Sequence, residues 1–115
     1  KDNKIFFKNR SDQVIISGGK NIDIGIIESS LLQFNSIFNF VVVGYDDLKW
    51  GTVPIVVYEN NRILVDKLEL KKFCKKQLPR YMMPKHFIEI KKLPYLPNQK
   101  INYNEIKQII LSYLS

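Results

Sequence analysis

Residues 40–58, FVVVGYDDLKWGTVPIVVY, contain two runs rich in β-branched residues. Runs of this composition, here residues 40–43 and 53–58, are typical of strands. Polar residues and glycines fill positions 44–51 and predict a long turn between the two strands. Pro54 has no N–H to donate, so we expect its strand to begin at that residue or to lie at the edge of a sheet.

Two amphipathic helices are predicted after these strands. Asp66 and Glu69 have the spacing of a capping box, and Asn102 with Glu105 repeats that spacing. The apolar residues that follow fall on one helical face each: Leu70, Phe73, Cys74 and Leu78 in the first helix, and Ile106, Ile109, Ile110, Tyr113 and Leu114 in the second. Pro79 ends the first helix.

Prolines at positions 79, 84, 94 and 97 interrupt the chain between the helices. They leave residues 86–90 as a short strand and residues 93–100 as an extended loop.

Towards the amino terminus, residues 5–7 and 14–16 predict a β-hairpin, and residues 17–21 a flexible loop. Asp23 then caps a helix that runs to about Phe34. The predicted order is hairpin, helix, two strands, helix, strand, helix. This order predicts one α+β domain over residues 1–115, with a short mixed sheet packed by about three helices.

The composition is that of one globular domain: 115 residues, 45% apolar and 25% charged. A single cysteine, Cys74, excludes an internal disulfide framework and a multi-cysteine zinc site. No segment has the roughly 20 apolar residues of a membrane span. The chain begins with Lys1 and shows no signal peptide, so we expect a cytoplasmic protein and interpret the chain as part of a longer one.

The positive charge is concentrated in one region. Residues 67–100 contain ten basic and two acidic residues, a net charge of +8 in a chain whose total is +7. This distribution predicts an anionic partner: nucleic acid, a phosphorylated small molecule or an acidic protein surface. A solvated lysine-rich helix face is the alternative interpretation.

Two short motifs suggest a specific chemistry. Residues 10–22 read RSDQVIISGGKNI, and their paired glycines would let a ligand lie against bare backbone. Residues 97–101 read PNQKI. Together the two motifs resemble the last two conserved signatures of the adenylate-forming enzymes, a superfamily that includes acyl- and aryl-CoA synthetases, peptide-synthetase adenylation domains and luciferase. Residues 42–44, 50–51 and 78–85 follow the order and spacing of that superfamily's carboxyl-terminal domain.

The resemblance implies a two-step ligase. A carboxylate attacks ATP to give an acyl-adenylate and pyrophosphate, and the thiol of CoA then displaces AMP. In such enzymes the small domain rotates between the steps. ATP and Mg²⁺ would be bound mainly by a large N-terminal domain outside this chain, so we expect the chain alone to be inactive. The expected partners are that domain, CoA and a carboxylic acid, with no nucleic acid, no membrane span and no metal ligands in this domain.

The resemblance also implies roles for individual residues. Lys100 matches the adenylation lysine, Asp12 the hinge, and Arg10 an arginine close to the nucleotide ribose. The positions that match the CoA-facing surface are Gly18, Gly19, Trp50, Arg80, Tyr81 and Lys85.

Several positions depart from the family pattern: Asn9, Ile24, Ile26, Met83 and Gln99. Gln99 stands where relatives have glycine before the lysine, and Met83 where some CoA ligases have a phosphate-binding arginine. The residue before Arg10 gives a narrower resemblance to o-succinylbenzoate-CoA ligases. Two alternatives remain. The chain could belong to an adenylation domain that loads a carrier protein, or be a basic module that binds nucleic acid or an acidic partner.

Overall fold

The computed structural model describes residues 14–17, 19–35, 37–49, 51–61 and 63–115. These residues form five strands and three helices: β1 (Val14–Ser17), β2 (Lys20–Asp23), α1 (Ile24–Phe34), β3 (Phe40–Asp47), β4 (Gly51–Glu59), α2 (Lys67–Gln77), β5 (His86–Ile90) and α3 (Tyr103–Leu114). A single 3-10 turn, Arg80–Met82, lies between α2 and β5.

The strands form one mixed sheet in which β4 is central. β3 pairs with β4 along its whole length, antiparallel, from Phe40 opposite Tyr58 to Asp47 opposite Gly51. On the other side of β4, β5 runs parallel to its second half and β1 meets its first residue. β2 extends the sheet outward as the partner of β1. The sheet order is therefore β2-β1-β4-β3, with β5 also on β4.

Alternation along β4 divides the apolar residues into two cores. Val56 and Tyr58 belong to the first core, which contains the buried faces of α1 and α2. Ile55 and Val57 belong to the second core, which contains Ile106 and Ile110 of α3. Because side chains alternate across a strand, the sheet separates α1 and α2 on one face from α3 on the other.

The fold class predicted from the sequence, α+β with a short mixed sheet and three helices, is confirmed. All three helices begin at a predicted cap. The carboxylate of Asp23 accepts from Gly25 N, that of Asp66 accepts from the backbone of Leu68 and Glu69, and the side chain of Asn102 accepts from Glu105 N. Such caps satisfy N–H groups that have no partner inside the helix.

The predicted long turn between β3 and β4 is wrong. Residues 44–47 continue β3, and β4 begins already at Gly51. Polar side chains are tolerated there because this end of the sheet is exposed: Asp46 accepts a hydrogen bond from the Thr52 hydroxyl across the two strands.

Pro54 lies inside the central strand. The prediction that its strand begins at Pro54 or lies at an edge is wrong. The Pro54 carbonyl accepts from Lys85 N at 2.8 Å, on the side of β4 that β5 occupies. The register with β5 begins only at Ile55, and β1 pairs only at Gly51. The missing N–H of Pro54 therefore falls in the gap between two partner strands and removes no ladder bond.

The predicted hairpin also has different strands. β1 pairs with β2, and Ser17 lies opposite Lys20. The predicted flexible loop at residues 17–21 is thus a tight turn inside a hairpin. Residues 5–7, which were expected to pair with residues 14–16, lie outside the described residues.

Candidate functional site

Lys100 lies at the tip of a tight β-hairpin, where an extended loop was predicted. Tyr95 and Ile101 form an antiparallel bridge, and Leu96 N donates to the Lys100 carbonyl at 2.7 Å. Gln99 N donates to the Leu96 carbonyl at 2.9 Å and closes the turn. This bond pattern is that of a three-residue hairpin loop, which ends in a left-handed residue.

Gln99 supplies that left-handed residue, with φ 75°. Among the described residues it is the one non-glycine residue with positive φ. Position 99 is also where the family resemblance implies a glycine. The structure explains the preference for glycine, because glycine adopts this conformation without steric cost.

The base of the hairpin is fixed to the domain. Leu93 N donates to the Glu59 carboxylate at 2.7 Å, and the same carboxylate accepts from the Asn39 amide at 3.1 Å. The side chains of Leu93 and Ile101 pack in the second core, on the face of α3. Lys100 itself is exposed.

A second group of the predicted residues assembles around the 3-10 turn. Tyr81 lies in that turn with its side chain 43% exposed, and the ammonium of Lys20 lies 5.2 Å from the centre of its ring. This distance is that of a cation–π contact. Burial of Met82 and the hydrogen bond from Met83 N to the Arg80 carbonyl anchor the turn.

Gly19 precedes Lys20 in the β1–β2 turn and has φ 83°. A Cβ atom at Gly19 would meet no atom of the described residues within 4 Å, so glycine is required here by the backbone conformation and leaves an open surface. Arg80 and Lys85 are exposed in the segment that holds Tyr81. The predicted CoA-facing residues that the structure describes are Gly19, Arg80, Tyr81 and Lys85, and Lys20, which was not predicted, contacts the Tyr81 ring.

The two groups belong to segments that pack against different cores of the sheet. Met82, next to Tyr81, is part of the first core, whereas Ile101, next to Lys100, packs against the second. Lys100 and Tyr81 are thus carried by segments on different sides of the sheet.

Four predicted site residues, Arg10, Asp12, Gly18 and Trp50, lie outside the described residues. In the part of the chain that is described, no group of three or more His, Cys, Asp or Glu side chains is placed to hold a metal ion. No helix in that part is long and apolar enough to cross a membrane.

Two further glycines of the family-like motifs have packing roles. A Cβ at Gly44 would lie 2.8 Å from the Thr52 methyl and 3.0 Å from an Ile15 methyl. Gly51 has φ 83°, and a Cβ there would lie 3.2 Å from the Ile16 carbonyl. Both glycines let the β1–β2 hairpin approach β4 closely.

The sequence did not single out Lys20, Asn98 or Glu59. Lys20 and Tyr81 are far apart in the sequence, so no local sequence pattern predicts their contact. Asn98 has a local signal, since asparagine is common in turns and often bonds the backbone two residues on. The bond from Lys100 N to Asn98 Oδ1, 3.1 Å long, is of this kind.

Cys74 and His86 are not placed for catalysis. Burial in the first core raises the pKa of the Cys74 thiol to about 11, so the thiol stays protonated near neutral pH. Partial burial, together with the charge of Lys85, lowers the pKa of His86, whose ring lies 6.0 Å from that of Tyr113.

Comparison with known proteins gives one family. The family model for the AMP-binding enzyme C-terminal domain matches residues 26–100. The 2-succinylbenzoate–CoA ligase of Geobacillus sp. is 34% identical over 110 residues, which are 95% of this chain and 22% of the ligase.

Two solved structures have the same fold. The o-succinylbenzoate CoA synthetase of Bacillus subtilis, in complex with its acyl-adenylate intermediate, is 35% identical with a TM-score of 0.66 over 82% of this chain and 19% of that one. A fatty acyl CoA synthetase of Mycobacterium tuberculosis is 28% identical with a TM-score of 0.70, over 83% of this chain and 19% of the other. The chain thus spans about a fifth of the length of these relatives.

Proposed function

Because this chain belongs to the AMP-binding enzyme C-terminal domain family, we propose that it is the mobile C-terminal domain of an AMP-forming acid–thiol ligase. The observation that carries the proposal is that the segments that hold Lys100 and Tyr81 pack against different cores of one sheet, through Ile101 and Met82. A domain built in this way can offer one face to each half of a two-step reaction by rotating against a larger N-terminal domain.

In the first half-reaction, Lys100 would enter the site where the carboxylate meets ATP. A carboxylate oxygen attacks the α-phosphorus, and the bond from that phosphorus to the pyrophosphate oxygen breaks. Negative charge is redistributed over the phosphoryl oxygens and the leaving group in this step. An ammonium group held among them in a site with little water stabilises that charge strongly. The hairpin suits this role because Lys100 is exposed next to its three-residue loop.

In the second half-reaction, the face with Tyr81 would meet CoA. The thiol, deprotonated, attacks the acyl carbonyl, and the bond to the AMP oxygen breaks. The exposed ring of Tyr81 would offer a stacking surface for adenine, while the exposed Lys20, Arg80 and Lys85 would contact the phosphates. The open surface at Gly19 would let the pantetheine arm pass beside the backbone.

The hinge and nucleotide roles of Asp12 and Arg10 complete the proposal and rest on the motif alone. ATP with Mg²⁺ is assigned mainly to the N-terminal domain, as the family resemblance implies. Of the carboxylic acids, 2-succinylbenzoate is the first substrate to test, because the Geobacillus relative is named for it.

The decisive experiment separates the half-reactions in the full-length enzyme. We expect Lys100→Ala to lower carboxylate-dependent pyrophosphate release by about a hundredfold or more, since a preorganised charge contact to the transition state is lost. Thioester formation from supplied acyl-adenylate and CoA should stay at the wild-type rate. Lys92→Ala, at another exposed lysine near the hairpin, is the matched control and should leave both rates unchanged. Full adenylation activity in Lys100→Ala would refute the proposal.

A further inference from the structure

The turn that carries Lys100 contains a side-chain bond of its own. Asn98 Oδ1 accepts from the backbone N–H of Lys100 at 3.1 Å. The other bonds that define the hairpin run between backbone groups, from Leu96 to Lys100 and from Gln99 to Leu96. Asn98 is therefore the residue whose side chain fixes the backbone of Lys100 directly.

The turn also holds a residue in an unfavourable conformation. Gln99 has φ 75°, a region that non-glycine residues enter at a cost. Such a conformation persists only where surrounding bonds impose it. The bonds of Gln99 N to Leu96 and of Lys100 N to Asn98 flank this residue on both sides.

The rest of the hairpin is tied to the domain by several contacts. Its base is tied to Glu59 and to the second core, and Asn102 N donates to the Pro94 carbonyl before Asn102 caps α3. Freedom in the position of Lys100 is thus confined to residues 97–99. A positioned cation stabilises a transition state better than one that must first be ordered.

From these contacts we infer that Asn98 is a positioning residue for Lys100. It holds the turn closed so that the lysine ammonium is presented at a fixed place when this face docks. Asn98 itself touches no reacting group. The inference rests on the proposed function, because it requires Lys100 to act in adenylation.

The test compares three variants of the full-length enzyme. Asn98→Ala removes the acceptor and should lower kcat for pyrophosphate release by about tenfold, the size expected for loss of one hydrogen bond, with KM for ATP and carboxylate nearly unchanged. Asn98→Ser keeps a short side-chain acceptor that can bond the backbone two residues on, and should recover most of the rate. Asn104→Ala, at an exposed asparagine in the first turn of α3, should behave as wild type.

Two readouts separate positioning from a general loss of structure. Thioester formation from supplied acyl-adenylate and the melting temperature should be the same in Asn98→Ala and the wild type. Equal losses in both half-reactions, a wild-type adenylation rate in Asn98→Ala, or no recovery in Asn98→Ser would each overturn the inference. If Lys100→Ala itself spares adenylation, the proposed function fails. If only Asn98→Ala is without effect, the inference fails alone.

Discussion

The fold imposes on Gln99 a backbone conformation that is sterically unfavourable for a non-glycine residue. This left-handed conformation is set by the pairing of Leu96 with Lys100 across the hairpin, which leaves three residues to reverse the chain. The sequence marks position 99 as unusual because the family resemblance implies glycine there. It does not reveal the conformation, which depends on a register that only the folded hairpin defines.

We expect Gln99→Gly to stabilise the chain by about 0.5–1 kcal/mol. Glycine removes the steric cost of positive φ, although its greater freedom in the unfolded chain offsets part of the gain. Urea unfolding of the 115-residue chain measures the change as a higher midpoint at constant slope. The matched control is Gln108→Gly in the interior of α3, which should destabilise by about 1 kcal/mol. A loss of stability in both variants would contradict the interpretation of position 99.

At the scale of elements, helices were predictable and strand lengths were not. Helix starts depend on local chemistry: a capping side chain followed by an apolar stripe, as at Asp66 and Asn102. Strand ends depend on the partner strand. Residues 44–47 are polar or small, yet they continue β3 because β4 begins opposite them at Gly51. Likewise, β2 forms from residues that look like a loop because β1 pairs with them.

The cap of α2 gives a stability prediction at this scale. Asp66 Oδ1 accepts from Leu68 N at 2.9 Å and from Glu69 N at 3.2 Å. Asp66→Ala should therefore cost about 1 kcal/mol, the usual value for a lost N-cap, in urea unfolding of the chain. Asp66→Asn keeps an acceptor and should retain most of the stability. Equal losses in the two variants would mean that charge, and not the cap bond, explains the role of Asp66.

At the scale of the whole molecule, the sequence predicted an anionic partner but not the face that meets it. Residues 67–100 carry most of the positive charge, yet they are spread over α2, the 3-10 turn, β5 and the hairpin. The sheet divides them: α2 and the turn lie with the first core, and the hairpin with the second. Such a division depends on the alternation of β4, which packs on both faces and has no single polar side to reveal it.

This division predicts that changes on the two faces act on different half-reactions. In the full-length enzyme, Tyr81→Ala should raise KM for CoA by roughly tenfold in thioester formation from supplied acyl-adenylate, because a stacking surface for one base is lost. Pyrophosphate release should be unchanged. Tyr113→Ala, at a tyrosine of similar exposure on α3, is the matched control and should leave both rates as they are.

The double variant Lys100→Ala/Tyr81→Ala then tests whether the faces are independent. Sites that share no partner have additive effects. The double variant should therefore match Lys100→Ala in adenylation and Tyr81→Ala in thioester formation, each within experimental error. A coupling in either half-reaction would mean that both residues serve one site at once. The segments that carry the two residues pack against different cores of the sheet. Such a coupling would therefore contradict the proposal that domain rotation presents the two faces in turn.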